Sequence, residues 1–220
     1  MEQFNQNKAK PRIGIISSLS HYNIQKVKDS EGNLVKDDLD EIKQVVLDTL
    51  DDFQWVIIGY VPDDMKKLVE DKKIQCYRMV PITAYPSLLE HIQLQAVVAP
   101  IQKNEFNRCK SPIKFLECCA LGVPLFATDS VPYSGVMPND FLFNSPEELK
   151  EKLMKLKFGS AGVYKKIIET NWNWLNTPRT DGDFKITNSW MEDNIGMWLS
   201  IFSMERRSEQ PKKDEVKNNG

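Results

Sequence analysis

Short apolar runs alternate with stretches of helical periodicity from residue 12 to residue 157, and few architectures absorb such an alternation. Arg12-Ile-Gly-Ile-Ile16, Gln54-Trp-Val-Ile-Ile-Gly59, Ile74 to Met79, Ala96-Val-Val-Ala99 and Val123 to Thr128 are too short for stable helices and read as strands. A weaker sixth strand falls near Phe141 to Phe143. Between them, apolar residues recur every three or four positions, as one face of a helix requires. These are Leu39, Ile42, Val46 and Leu50; Met65, Leu68 and Val69; and Leu88, Leu89 and Ile92 within Tyr85 to Gln95. Leu149, Leu153 and Leu156 repeat the pattern within Pro146 to Lys157. Asp63 and Asp64 sit where a helix start favours acids.

Strands separated by helices form βαβ units, and right-handed crossovers turn these into a parallel sheet covered by helices. The expected fold class is α/β: a Rossmann-like doubly wound parallel sheet of about six strands, in the order 3-2-1-4-5-6. In such a sheet a ligand binds beyond the carboxyl ends of the strands, where the winding reverses. That point lies between the first and fourth strands. The loops Ser17 to Asn23 and Pro100 to Lys110 flank it, so fold logic alone nominates them.

The alternation ends near residue 158. Residues 1–10 are expected to be a disordered lead-in, 11–158 one domain, 159–204 a C-terminal helical segment and 205–220 a charged, disordered tail. Trp172, Trp174, Trp190 and Trp198 fall in the helical segment. They either pack against the sheet or present a partner surface, a homodimer mate being one option. The formal net charge of -2 gives no argument for nucleic acid or an anionic membrane. No apolar run approaches the ~20 residues of a transmembrane helix, and Met1 to Lys10 shows no secretory pattern, which points to the cytoplasm. Cys76, Cys109, Cys118 and Cys119 have no CxxC spacing and only His21 and His91 beside them, so no metal site is expected. The thiols read as buried or idle, and His91 as structural.

The stretch from Asn104 to Asp129 carries the chemistry. Ser111-Pro112 reads as a helix start, with serine at the N-cap and proline at the first helical position. Gly122 reads as its stop. Arg108 and Lys110 precede the helix and Lys114 lies in its first turn, where acids are normally favoured. Such a crowd of cations becomes favourable when an anion such as a diphosphate binds the helix end. Glu117 follows Lys114 by three residues on the same face. The two form either a surface ion pair or a site, with Lys114 on a phosphate and Glu117 accepting from two vicinal ribose hydroxyls. His21 is either a general base or phosphate donor, or a loop histidine bonded to backbone.

The pattern Phe106-Asn-Arg-x-Lys-Ser-Pro-x-Lys-x-Leu-Glu117, followed by Ala120-x-Gly-x-Pro124 and Thr128-Asp129, resembles the donor-binding signature of family-4-type (group 1) GT-B glycosyltransferases. It is similar in particular to bacterial and phage members with a KSPxKxLE segment. Arg12 to His21 also resembles the first strand and loop of their C-terminal, nucleotide-sugar-binding domain, and the likeness covers roughly residues 11–150. It implies a nucleotide-diphosphate sugar as substrate, with UDP or GDP as the nucleotide and no bound cofactor or metal. It further implies Glu117 on the ribose, and Lys114 with Arg108 or Lys110 neutralising the diphosphate leaving group. Asn107 and Ser111 would lie beside these cations. Ser17, Ser18 and Ser20 would offer donors to the phosphates, and the base would lie near Tyr77 and Val80, after the third strand. Cys109 departs from the pattern: it stands eight positions before Glu117, where the related enzymes place a second glutamate, and Glu105 is out of register. A complete GT-B enzyme needs two such domains, roughly 300 residues. The expected function is therefore a donor half that transfers sugar with a partner domain or chain. The alternatives are a stand-alone module that binds or sequesters nucleotide without catalysis, and an interaction protein that keeps only the fold.

Overall fold

The computed structural model describes residues 10–18, 21–23, 27–28, 30–158, 169, 173, 180–181 and 184–185. The chain divides into two compact units, Met1–Asn171 and Trp172–Gly220.

The first unit is built on a six-stranded sheet of β1 (Arg12–Ser17), β2 (Gln54–Gly59), β3 (Gln75–Tyr77), β4 (Ala96–Ala99), β5 (Leu125–Thr128) and β6 (Leu142–Phe143). Its order is β3-β2-β1-β4-β5-β6 with every pairing parallel, as the sequence pattern predicts. The helices are α1 (Lys43–Asp48), α2 (Lys66–Glu70), α3 (Tyr85–Ile92), α4 (Glu105–Arg108), α5 (Ile113–Leu121) and α6 (Pro146–Phe158). A 3-10 turn, Asp38–Glu41, leads into α1, and another, Asp63–Met65, leads into α2.

Successive residues of a strand face opposite sides of the sheet. Every residue of β4 and β5 is buried, as are Trp55, Val56, Ile57 and Ile58 of β2, so these strands are covered on both faces. Thr49 and Trp55 carry their polar groups into this core as a bonded pair. The Trp55 indole Nε1 donates to Thr49 Oγ1 at 3.0 Å, and that hydroxyl donates to the Val45 carbonyl at 2.6 Å. Helix α6 is fastened to the region of α1 by Lys150–Asp48 and Lys157–Asp52 ion pairs, at 2.9 and 2.7 Å.

The elements differ from the sequence expectation in several places. Helix α3 stops at Ile92 because Gln93 turns left-handed, at φ 54°. Strand β5 begins at Leu125, two residues later than expected, after Pro124, which has no N–H to donate. The loop after β4 contains the short helix α4, capped by the Asn104 side chain, which accepts from Asn107 N at 2.8 Å. Helix α5 starts at Ile113 with Pro112 at the N-cap and no side-chain cap, so Ser111 does not take the capping role read from the sequence.

In the second unit the described residues include an antiparallel pair, β7 (Thr180–Asp181) and β8 (Phe184–Lys185), inside the segment read as helical. The aromatic stretches around residues 164–168 and 190–202, and Trp172 and Trp174, lie outside the described residues. Among the described residues no helix is long and apolar enough to cross a membrane.

Candidate functional site

The doubly wound order places the carboxyl ends of β1 and β4 side by side, and the nominated loops meet there. Ser17 ends β1, and its buried hydroxyl is spent inside the protein. It donates to the Tyr22 hydroxyl at 2.5 Å, which in turn donates to the Tyr60 carbonyl at 3.3 Å. Tyr22 and Tyr60 also pack ring against ring, with centroids 4.7 Å apart. Gly59, ending β2, has φ +117°, and a Cβ there would lie 2.0 Å from the Ser17 carbonyl oxygen. Only glycine lets β1 and β2 end this close together.

Asp38 lies at the centre of the site and was not singled out by the sequence. It is 5% exposed, and each of its carboxylate oxygens has two donors or potential donors. Oδ1 accepts from the Gln102 backbone N–H at 2.7 Å and from Asn107 Nδ2 at 2.9 Å. Oδ2 faces His21 Nδ1 at 2.7 Å and Lys110 Nζ at 3.4 Å. One carboxylate thus ties the loop after β1 to the loop after β4. Burial alone would raise the Asp38 pKa; hydrogen bonds from His21 and Gln102, with the Lys110 charge, outweigh it and hold the carboxyl below its ordinary value. His21 is lowered by burial first, against the opposing pull of Asp38, with Lys114 and Lys110 adding to the lowering. The imidazole is therefore neutral at neutral pH, and its contact with Asp38 is a hydrogen bond to an ionised carboxylate rather than a full ion pair.

Lys114 and Glu117 project from α5 toward this network. Lys114 Nζ lies 3.1 Å from His21 Nε2. Burial, then the neighbouring Lys110 charge, pushes the Lys114 pKa down to about 8. Among the described residues no carboxylate lies within ion-pair distance of Lys114, so the expected alternative of a Lys114–Glu117 surface pair is not formed. Glu117 instead accepts from the Tyr85 hydroxyl at 3.4 Å, and burial raises its pKa against the pull of Lys114. Helix α5 is held from below by Phe115, Cys118 and Cys119, all buried, and ends at Gly122 in the left-handed region, φ 65°.

The sequence-nominated residues separate into two groups. His21, Asn107, Lys110 and Lys114 come together around Asp38, with Glu117 one turn further along α5. Arg108 is exposed and pairs with Glu105 within α4 at 2.9 Å, so it is not drawn into the cluster. Ser111 and Ser18 are exposed, and the Ser18 carbonyl accepts from His21 N at 3.1 Å. Tyr77 and Val80, at and after the end of β3, are half-buried. Ser20 lies outside the described residues.

No family model matches the sequence, and no curated protein matches it. Among solved structures, the fold is similar to the C-terminal domain of a glycosyl transferase group 1 family protein, LpcC, from Francisella tularensis. The two share 22% identity over 76% of this chain and 85% of that one, with a TM-score of 0.52. It is also similar to a mutant of T4 phage BGT in complex with UDP-glucose, at 13% identity, over 90% of this chain and 48% of that one, with a TM-score of 0.50. This chain therefore matches about half the length of the phage protein. At these identities the likeness is one of fold: a Rossmann-like, doubly wound parallel sheet shared with these two structures.

Proposed function

We propose that this chain supplies the donor side of a glycosyltransferase and holds a nucleotide-diphosphate sugar, with UDP or GDP as the nucleotide, at the amino end of α5. One observation carries this reading. The Lys114 ammonium is largely buried at a helix start, beside a second lysine, without a carboxylate partner among the described residues. Such an arrangement is unfavourable alone and is relieved by an anion. In the proposed complex Lys114 and Lys110 meet the diphosphate and stabilise it as a leaving group, so that protein cations do the work a metal would otherwise do. Glu117 accepts from the ribose hydroxyls, and Tyr77 and Val80 border the base. Arg108 would have to leave Glu105 to take part.

A partner domain or chain would bring the acceptor. Met79, Ile82, Phe106, Ile113 and Val131 follow the carboxyl ends of β3, β4 and β5, and all five are exposed. An apolar rim around a polar site fits a surface that another domain covers. Titration calorimetry with UDP, GDP and their sugars tests the reading on wild type and Glu117→Ala. Binding to wild type that weakens sharply in the variant supports it. Absence of binding to every nucleotide refutes it.

A further inference from the structure

We propose that Asp38 is a positioning residue for this site: it holds His21 as the Nδ1–H tautomer, so that Nε2 accepts a hydrogen from Lys114 and fixes that ammonium where a ligand anion meets it. The inference rests on the donor-site reading for its purpose, but its geometry stands independently.

Asp38 belongs to a run of acids with Asp37, Asp40 and Glu41, and of the four it alone is buried. Burying a carboxylate is costly unless donors surround it, and Gln102, Asn107, His21 and Lys110 do so. An ionised carboxylate only accepts, so the hydrogen on the 2.7 Å contact belongs to His21 Nδ1. Lys110, 3.3 Å from that same nitrogen, then has no lone pair there and donates to Asp38 Oδ2. With Nδ1 protonated on a neutral ring, Nε2 presents a lone pair. Its neighbour at 3.1 Å is Lys114 Nζ, which can only donate. The direction of every hydrogen bond from Lys114 through His21 to Asp38 is therefore set by the carboxylate. A long, flexible lysine side chain gains one fixed bond and keeps two N–H groups for a ligand.

Asp38→Asn is the informative variant because it changes no volume. Its amide oxygen can still serve Gln102 and Asn107, while its NH2 takes the place of Oδ2 and donates to His21 Nδ1. The ring hydrogen then moves to Nε2 and points at the Lys114 ammonium, donor against donor. Nitrogen-15 NMR of the imidazole at neutral pH should show the Nδ1–H tautomer in wild type and the Nε2–H tautomer in Asp38→Asn. UDP affinity should fall about tenfold in the variant, the loss of one charge-assisted hydrogen bond. A wild-type Nε2–H or charged imidazole overturns the proposal, as does a variant with an unchanged tautomer or unchanged UDP affinity. If Asp38→Asn does not fold, the wild-type spectrum still decides the tautomer, and His21→Ala should reproduce the loss of UDP affinity. Wild type that shows the expected tautomer but binds neither UDP nor GDP refutes the donor-site reading instead.

Discussion

Replacing Lys114 with methionine shortens the side chain by one atom and deletes its charge. A lysine that titrates at about 8 instead of 10.5 costs the folded state about 3 kcal/mol at neutral pH, at ~1.4 kcal/mol per pH unit. Part of the side chain reaches solvent, which reduces the measurable share. The variant also loses the bond to His21, worth about 1 kcal/mol. The net expectation is a gain of ~1–2 kcal/mol, or roughly 2–8 °C in Tm for a chain of this size. The sign follows from the lowered pKa. The folded state disfavours the ammonium, so wild-type stability should rise as pH climbs from about 8 towards 10.5, and the variant should show no such rise from this position. The assay is thermal melting at neutral and alkaline pH, with and without UDP. The variant should melt higher than wild type without nucleotide and should lose the UDP-induced increase, which reaches ~2.7 kcal/mol for a ligand at a hundred times its Kd. A variant that melts below wild type without nucleotide would falsify the claim that this ammonium is held at a cost to the fold.

Three further substitutions test particular contacts. Gly59→Ala forces a Cβ against the Ser17 carbonyl at a positive φ, and urea denaturation should show a loss of roughly 3 kcal/mol or more; a loss below ~1 kcal/mol would mean that β1 and β2 separate easily at this end. Thr49→Val leaves the buried Trp55 indole N–H without an acceptor and should cost about 1–3 kcal/mol by tryptophan-monitored unfolding; an unchanged midpoint would contradict the bond. Glu117→Gln should leave the melting temperature unchanged or slightly higher at neutral pH, because burial already disfavours the charged carboxylate and the Tyr85 hydroxyl keeps an acceptor. Its UDP affinity should fall by about tenfold, and equal affinity in calorimetry would remove Glu117 from the ribose role.

The strand order was legible because it follows from rules about connections rather than from details of packing. Once five apolar runs and the helices between them were recognised, right-handed crossovers left little choice, and the loops at the reversal point followed. Lys114 and Glu117 were legible because their spacing on one helix is a local property. Asp38 was hidden for the opposite reason. Asp38 lies in a run of acids with Asp37, Asp40 and Glu41 that has no motif to set it apart, and in the fold it is the buried one, in a 3-10 turn. Its partners His21, Gln102, Asn107 and Lys110 are 17 to 72 positions away, beyond any local signal. Arg108 stands apart from the cluster for a local reason: its acid partner, Glu105, is on its own turn and pairs with it at the surface. A helix as short as α4 leaves no periodicity to read.

The position of β1 has a consequence for how the chain is made. Arg12 finds its partner Gln95 across 83 positions, yet β1 stands at the middle of the sheet. At ~5–20 residues per second of synthesis, roughly 4–17 s separate the appearance of β1 from that of the strand that covers its second side. Throughout that interval Ile13 and Ile15 stand along an open edge whose backbone groups are unpaired, a template for joining other chains. A fragment ending at residue 95 should accordingly aggregate or bind a chaperone, where a chain carrying β4 does not. The same arrival delivers Gln102, Asn107 and Lys110 to Asp38, so the nascent protein closes this edge and joins the loops after β1 and β4 in one event.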